Sequence, residues 1–168
     1  MRKIILFIAS SLDGFIAREN DTVDWLFTDQ EYGYKQFYSS IDTILIGRKT
    51  FEHSLTFGET YHGKEVFVFS KNKNAKNINN IHFEQDIIAT TKNLLNKDGK
   101  NIWLVGGAEI ITVMLNNDFI NEIILSIHPL ILGRGIPLFK EIVKEIKMTL
   151  IKEIRYETGL LQAHYQVQ

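Results

Sequence analysis

Ile4-Ile5-Leu6-Phe7-Ile8-Ala9 is an unbroken apolar run near the amino terminus, and half of its residues are β-branched. Apolar and polar residues alternate in a strand that has one face in water, whereas a strand covered on both faces is apolar throughout. Strands of the second kind are typical of the parallel sheets of α/β proteins. The run therefore predicts a central strand of an α/β sheet.

The rest of the chain alternates between strand patterns and helical patterns. Strands are predicted over residues 43–46, 65–69, 101–105 and 122–127, and helices over residues 28–41, 85–96 and 108–115. Residues 148–167 alternate around Thr158-Gly159, which predicts a C-terminal antiparallel hairpin at the sheet edge. Together these patterns indicate a mostly parallel mixed sheet with helices on both faces.

The composition is typical of a globular chain. Of 168 residues, 45% are apolar and 23% are charged, which is consistent with one domain over residues 1–168. The net charge of -1 provides no field to attract nucleic acid or a membrane surface, so neither is an expected partner. With no cysteine and no pair of histidines at helical spacing, no metal site is predicted. The amino-terminal run is interpreted as a strand and not as an export signal, which predicts a cytoplasmic protein.

Four motifs stand at predicted carboxyl ends of strands, where open α/β sheets bind ligands. They are Ser10-Ser11-Leu12-Asp13-Gly14, Ile46-Gly47-Arg48-Lys49-Thr50, Val68-Phe69-Ser70-Lys71 and Val105-Gly106-Gly107-Ala108-Glu109. Gly47 and the Gly106-Gly107 pair each precede a predicted helix, whose free amides can bind a phosphate with no side chain in the way. Arg48 can bind a phosphate through two charge-assisted hydrogen bonds. Two such helix starts predict an extended, doubly phosphorylated ligand, and a dinucleotide is a ligand of this kind.

The order of the motifs resembles the dihydrofolate reductase-like superfamily. The resemblance is carried by Ser-Leu-Asp-Gly at 11–14, Ile-Gly-Arg-Lys-Thr-Phe at 46–51, Val-Phe-Ser-Lys at 68–71, Val-Gly-Gly-Ala-Glu at 105–109 and His-Pro-Leu-Ile-Leu-Gly-Arg-Gly-Ile-Pro-Leu-Phe at 128–139. It spans nearly the whole chain. It is nearest to small bacterial single-domain proteins grouped with the reductase half of the bifunctional riboflavin-biosynthesis deaminase-reductase. The resemblance implies an eight-stranded sheet with NADPH lying across the strand ends.

The resemblance also implies which residues bind the cofactor. They are Ala9 and Ile16 beside the nicotinamide, Gly47, Arg48, Lys49 and Thr50 around the phosphates, Ser70 and Lys71 near the adenosine 2′-phosphate, Gly106 and Gly107 beside the pyrophosphate and the nicotinamide, and the following Ala108 and Glu109. A cis peptide bond is implied between Gly106 and Gly107. Glu109 stands where some relatives have a basic residue, which argues against a preference for the 2′-phosphate. Arg48 and Lys71, in contrast, favour a cofactor with the 2′-phosphate.

On the substrate side the resemblance points to Trp25 and Tyr34 as binding residues. The candidate proton donors are Asp13, at a predicted strand end, and Asp29 and Glu31, near the position of an acid on the first helix of folate reductases. Other roles stay open for all three. Two carboxylates in the first turn of a helix are ordinary partners of the helix dipole, and Asp13 is equally suited to cap its own turn.

These residues predict an NADPH-dependent reductase of a pterin- or pyrimidine-like heterocycle. One such substrate is 5-amino-6-(5-phosphoribosylamino)uracil of riboflavin biosynthesis, for whose phosphate the chain offers Lys35 and Arg18. Dihydrofolate is disfavoured, because Lys64 is the one Lys or Arg in residues 52–65 to meet its glutamyl carboxylate. Two other classes stay open, a nucleotide-binding sensor that does not catalyse and a purely structural oligomerisation module. A homodimer is predicted, because residues 129–132 and the alternating tail offer apolar surface.

Overall fold

The computed structural model of the protein describes residues 1–72 and 74–168. The bounds of the strands and helices, in chain order, are β1 Ile4–Ser11, β2 Phe15–Ala17, α1 Tyr34–Ser39, β3 Ile41–Gly47, α2 Arg48–Thr56, β4 Glu65–Phe69, β5 Ile81–Glu84, α3 Ile87–Leu95, β6 Asn101–Gly106, α4 Ala108–Asn116, β7 Glu122–His128, β8 Ile136–Pro137, β9 Met148–Arg155 and β10 Leu161–Val167. No helix among the described residues has the length and apolar character needed to cross a membrane.

Eight strands form one sheet in the order β5-β4-β3-β6-β1-β7-β10-β9. The pairings from β5 to β7 are parallel, and those of β10 with β7 and β9 are antiparallel. β1 lies inside the sheet, where Leu6 is opposite Leu104 of β6 on one side and Ile123 of β7 on the other. The predicted mostly parallel mixed sheet, its central first strand and its C-terminal hairpin are confirmed.

Each face of the sheet has its own hydrophobic core. Successive side chains of a strand point to opposite faces. Ile4 and Leu6 therefore join the core beneath α3 and α4, while Ile5 and Phe7 join the core beneath α1 and α2. Full burial of one such side chain contributes about 1.5–3 kcal/mol. A polar residue at any of these positions would lose that contribution, which explains why the run contains none.

The first helix is shorter than predicted. The predicted helix over residues 28–41 is wrong, because α1 begins at Tyr34 and Ile41 is already the first residue of β3. Tyr32 and Gly33 have φ angles of 46° and 78°. Both angles lie in the left-handed region, so a right-handed helix cannot extend back through these residues. The apolar spacing marks a real buried face, but it extends over little more than one turn.

Three strands were not predicted, and all are short. β5 alternates apolar and polar residues and pairs with β4 at the edge of the large sheet. β2 and β8 have three and two residues, too few for any periodic pattern, and they form a separate two-stranded sheet. This small sheet joins the loop after β1 to the loop after β7.

Gly135 lies against the backbone of this small sheet. The amide of Leu138 donates to the Gly14 oxygen at 2.8 Å, which keeps the two loops together. A Cβ at Gly135 would lie 2.3 Å from the carbonyl oxygen of Ala17. Any side chain at this position would therefore push the two loops apart.

We expect Gly135→Ala to lower the free energy of unfolding by about 3 kcal/mol, the upper end of the cost of overpacking, because the obstructing atom belongs to the backbone. Gly14→Ala is the matched control on the facing loop. Gly14 has a φ of 84° and no atom within 4 Å of its Cβ position, so its replacement should cost only the left-handed penalty of about 1–2 kcal/mol. Denaturant unfolding of the two variants checks this, and equal losses would contradict it.

Candidate functional site

The parallel strands bring the four sequence motifs to one edge of the sheet. β1, β3, β4 and β6 end at Ser11, Gly47, Phe69 and Gly106. These strands are neighbours in the order β4-β3-β6-β1, and the carboxyl ends of parallel strands lie at the same edge. The residues that follow them are therefore side by side.

Gly47, Gly106 and Gly107 form the centre of this edge and are here called the glycine cradle. Gly47 is the N-cap of α2 and Gly107 is that of α4, and no side chain caps either helix. A Cβ at Gly47 would lie 3.0 Å from Cδ1 of Ile110, and a Cβ at Gly107 would lie 3.2 Å from Oγ1 of Thr50. The Gly106–Gly107 peptide bond is cis, as the resemblance implies. The two helix N-termini thus lie close together, which requires glycine at these positions, and their uncapped amides suit the pyrophosphate of a dinucleotide.

Polar groups from α2 and the end of β4 flank the cradle. Arg48 pairs with Glu52 at 2.9 Å, with both side chains about half exposed. An exposed pair of this kind contributes little, so the guanidinium can exchange its partner for a phosphate. Ser70 is buried, and its Oγ accepts a hydrogen bond from the amide of Asn72 at 3.1 Å, which leaves the hydroxyl proton to donate. Lys71 is exposed.

The other residues predicted to bind the cofactor lie around the cradle. Lys49 and Thr50 are in the first turn of α2, Ala108 and Glu109 are in that of α4, Ala9 is on β1 and Ile16 is on β2. β1 lies close to the cradle, because a Cβ at Gly106 would be 3.7 Å from Cδ1 of Ile8. Glu109 is exposed, and an acid at this point stabilises the start of a helix.

Asp13 joins the loop after β1 to the loop after β7 through hydrogen bonds, and it is a poor proton donor. Its carboxylate accepts hydrogen bonds from the Ser11 hydroxyl at 2.6 Å and from the amides of Leu132 and Gly133 at 3.0 and 2.7 Å. The bond from Ser11, together with those amides, lowers the pKa of Asp13 below its ordinary value. A carboxylate of this kind holds no proton near neutral pH.

Asp29 and Glu31 lie outside the helix in which they were predicted. α1 begins at Tyr34, so both carboxylates belong to the preceding turns. Asp29 accepts from the Tyr32 hydroxyl at 2.7 Å, and this bond lowers its pKa. Glu31 accepts from the amide of Lys35 at 3.2 Å, where it caps the start of α1. All three predicted donors are thus hydrogen-bond acceptors in this structure.

Trp25 lies in an aromatic group with a histidine that the sequence analysis did not single out. The Trp25 ring packs edge-on against the His128 ring, with 5.1 Å between the ring centroids. The centroid of the Phe27 ring lies 4.8 Å from that of His128. Trp25 is 8% exposed, and its indole Nε1 is buried with no acceptor in the described part of the chain. The signal for His128 was present, because a histidine before a proline ends this mostly apolar strand.

Tyr34 packs in a second aromatic group on the α1 face of the sheet. Its ring contacts Phe7 and Trp103, and its hydroxyl lies 3.3 Å from Oε2 of Glu59. Burial and then the charge of Glu59 raise the pKa of Tyr34, so the hydroxyl remains a donor. The ammonium group of Lys64, nearby in the sequence, donates to two backbone oxygens at 2.8 and 2.7 Å.

A mostly parallel eight-stranded sheet with a glycine-lined edge places the protein among reductase-like domains of the dihydrofolate reductase type. Within this class, the chain belongs to the RibD C-terminal domain family, whose model matches residues 2–161. It is 37% identical to the uncharacterized protein YyaP of Bacillus subtilis strain 168, over 98% of this chain and 94% of that protein. The resemblance found in the sequence is confirmed.

Solved structures share the fold. A candidate riboflavin biosynthesis protein from Shewanella sp. PV-4 superposes with a TM-score of 0.85 at 25% identity, over 99% of both chains. A diaminohydroxyphosphoribosylaminopyrimidine deaminase/5-amino-6-(5-phosphoribosylamino)uracil reductase from Thermotoga maritima gives a TM-score of 0.77 at 14% identity, over 99% of this chain and 57% of that one. The second similarity is one of fold alone. The chain thus has the fold of the reductase-like proteins of riboflavin biosynthesis.

We expect Asp13→Asn to destabilise the protein at neutral pH, because an amide has one acceptor oxygen and cannot serve both Leu132 and Gly133. The folded-state pKa of Asp13 is lowered, so its contribution is present above the ordinary carboxyl pKa of about 4 and is lost as the pH falls below that value. The stability difference from wild type should therefore shrink in acid. Unfolding curves over this pH range check the prediction, with Glu19→Gln, at an exposed position beyond β2, as the control. A difference that is the same at every pH would contradict the assignment.

Proposed function

We propose that the protein is an NADPH-dependent reductase of a pterin- or pyrimidine-like heterocycle. The glycine cradle is the observation that supports this most directly. Gly47 and Gly107 are the N-caps of α2 and α4 and carry no side chain over the first helix amides, and a dinucleotide pyrophosphate binds to such free amides. NADPH, when bound, supplies the hydride.

Residues around the cradle hold the cofactor in this proposal. The first amides of α2 and α4 bind the pyrophosphate, with Lys49 and Thr50 beside them. Arg48 leaves Glu52 to bind phosphate, and Ser70 and Lys71 bind the adenosine 2′-phosphate. Ala9 and Ile16 lie beside the nicotinamide and exclude water from it.

The substrate lies against the Trp25 side of β1. The buried Nε1 of Trp25 lacks an acceptor in the described residues, and an unsatisfied buried donor costs about 1–3 kcal/mol. Ring oxygens and nitrogens of a pterin or pyrimidine are acceptors that would remove this cost. Because Asp13, Asp29 and Glu31 already accept hydrogen bonds, water supplies the proton for the reduced ring.

The substrate ring is neutral or cationic, and dihydrofolate is disfavoured. Lys64, the candidate for a glutamyl carboxylate, is held by two backbone oxygens, and Glu59 adds negative charge beside Tyr34. Arg18 pairs with Asp24 through bonds of 2.6 and 3.0 Å, and both side chains are about half exposed. Like Arg48, Arg18 can therefore exchange its partner for a phosphate. Together with the exposed Lys35, it leaves a phosphoribosyl substituent open.

Oxidation of NADPH in the presence of a panel of pterins and aminopyrimidines tests the proposal. Substrate-dependent oxidation supports the reductase. Tight NADPH binding without turnover of any member would instead support a nucleotide-binding sensor. No binding of NADPH at all would contradict both and leave the structural module.

We expect Gly47→Ala to weaken NADPH binding by about tenfold or more, equivalent to about 1.4 kcal/mol, while the protein stays folded. Gly47 has an ordinary φ of −74°, so alanine is conformationally acceptable. Gly58→Ala, beyond the other end of α2, has no atom near its Cβ position but a φ of 77°, so it is the control for an alanine that lowers stability without touching the cradle. Titration of nicotinamide fluorescence measures both. Equal affinities in the two variants would contradict the placement of the phosphates.

We expect wild type to bind NADPH at least about tenfold more tightly than NADH, since charge-assisted hydrogen bonds contribute about 1.5–3 kcal/mol each. Arg48→Ala should remove most of this difference. Glu52→Gln frees Arg48 from its ion pair. It should leave NADPH binding unchanged or make it about twofold tighter, because an exposed i,i+4 ion pair contributes only about 0.3–0.5 kcal/mol. An equal loss for both cofactors in Arg48→Ala would place Arg48 on the shared pyrophosphate. A wild type that prefers NADH would show that Glu109 governs the ribose end.

The proposed enzyme acts as a homodimer. The edge strand β9 exposes Met148, Leu150 and Ile151, and Ile131 is exposed on the loop after β7. Apolar groups on an unpaired strand edge favour association with a second chain. Sedimentation at micromolar concentration should give a dimer, and Leu150→Lys with Ile151→Lys should give a monomer. Phe57→Lys, at another exposed apolar position, is the control. A monomeric wild type, with or without NADPH, would contradict the proposal.

A further inference from the structure

His128 is buried at the end of β7 and lies against the segment that contains Trp25. It is 3% exposed. The amide of Phe27 donates a hydrogen bond to Nε2 of His128 at 3.2 Å, across 101 positions of sequence. The rings of Trp25 and Phe27 lie against the imidazole. One side chain thus contacts both aromatic residues and fixes the backbone between them.

This hydrogen bond requires a neutral imidazole. A backbone amide can only donate, so Nε2 must carry a lone pair. The ring proton then belongs on Nδ1, which lies 3.4 Å from the carbonyl oxygen of Ser126. Protonation of Nε2 would put two N–H groups opposite each other inside an apolar group, and the bond to Phe27 would be lost.

Among the described residues, no acidic side chain bonds to the imidazole of His128 to favour its charged form. Titratable groups on the surrounding segments include Asp13 beyond Ser11, Tyr156 and His164 on the C-terminal hairpin, and Asp24, Asp29, Glu31 and Tyr32 on the segment around Trp25. None of them bonds to His128 in the described part of the chain. Burial lowers the pKa of His128, against smaller opposite effects of the Ser126 and Ser10 backbone.

A second anchor holds the other end of the same segment. Nε2 of Gln162 donates to the Tyr32 oxygen at 3.1 Å and to the Ser126 hydroxyl at 3.0 Å. The residues between the anchors, from 28 to 31, are exposed. The position of Trp25 and Phe27 therefore depends on the His128 anchor, because Gln162 acts only at the far end.

We infer that His128 is a positioning residue that holds the Trp25–Phe27 segment in place for the heterocyclic substrate, and that it does so only while its imidazole is neutral. The inference rests on the proposed function, in which Trp25 contacts the substrate. Acidification should release the segment and weaken substrate binding, while the glycine cradle keeps its structure. The folded protein favours the neutral form of His128. The stability that neutral His128 contributes is therefore complete above the ordinary histidine pKa of about 6.5 and declines as the pH falls below that value.

Amide hydrogen exchange of Phe27, followed by NMR, tests the anchor without any substrate. In wild type we expect the protection of the Phe27 amide to fall roughly fivefold as the pH is lowered, because about one hydrogen bond is lost. The midpoint of this change should coincide with the pKa of His128. His128→Gln retains an acceptor that does not titrate, so it should keep protection and lose the pH step. His128→Phe should lack protection at every pH. His82→Gln, at the far edge of the sheet, is the control and should behave like wild type.

Kinetics with a heterocycle that supports NADPH oxidation give the second measurement. His128→Phe should raise KM for the heterocycle roughly fivefold, with kcat and NADPH affinity close to wild type, and His128→Gln should restore KM. Wild-type protection of Phe27 in His128→Phe, or a pH step that persists in His128→Gln, would overturn the inference. If His128→Phe does not fold, the wild-type pH series and the glutamine variant still decide. Absence of turnover would count against the proposed function, whereas the exchange measurement bears on His128 alone.

Discussion

The burial of β1 between two parallel neighbours is the constraint on which the rest of the structure depends. Leu6 is opposite an apolar residue of β6 and another of β7, so both faces of the sheet need a covering layer. Helices supply it on each side. Parallel pairing also requires each connection to return over the sheet. The carboxyl ends of the parallel strands then lie at one edge, where segments far apart in sequence form one site.

The two halves of this edge differ in chemistry. Around the glycine cradle the surface is backbone, and two helix N-termini present amides that suit anions. Around Trp25 the carboxylates of Asp13, Asp29 and Glu31 each accept a local hydrogen bond and hold loops in place. The half around the glycine cradle suits a cofactor with several phosphates, and the half around Trp25 suits an uncharged ring.

Much of the sheet could be predicted from the sequence, because strands buried on both faces leave unbroken apolar runs. The cradle could be predicted because glycines between a strand and a helix are unusual and local. The start of α1 could not, since the left-handed Tyr32 is set by the segment around it, and apolar spacing does not report φ. The roles of Asp13 and His128 also escaped prediction. Their partners, Leu132 and Phe27, lie about a hundred positions away and are brought close only by the fold.

Chemical-shift mapping of the backbone amides during NADPH titration tests the central claim most directly, because it locates the cofactor without requiring a substrate. The account predicts that the largest changes occur at Gly47, Gly106 and Gly107 and in the first turns of α2 and α4, with smaller ones at Ser70. Changes centred on the β9–β10 hairpin, or no change at saturating NADPH, would contradict it.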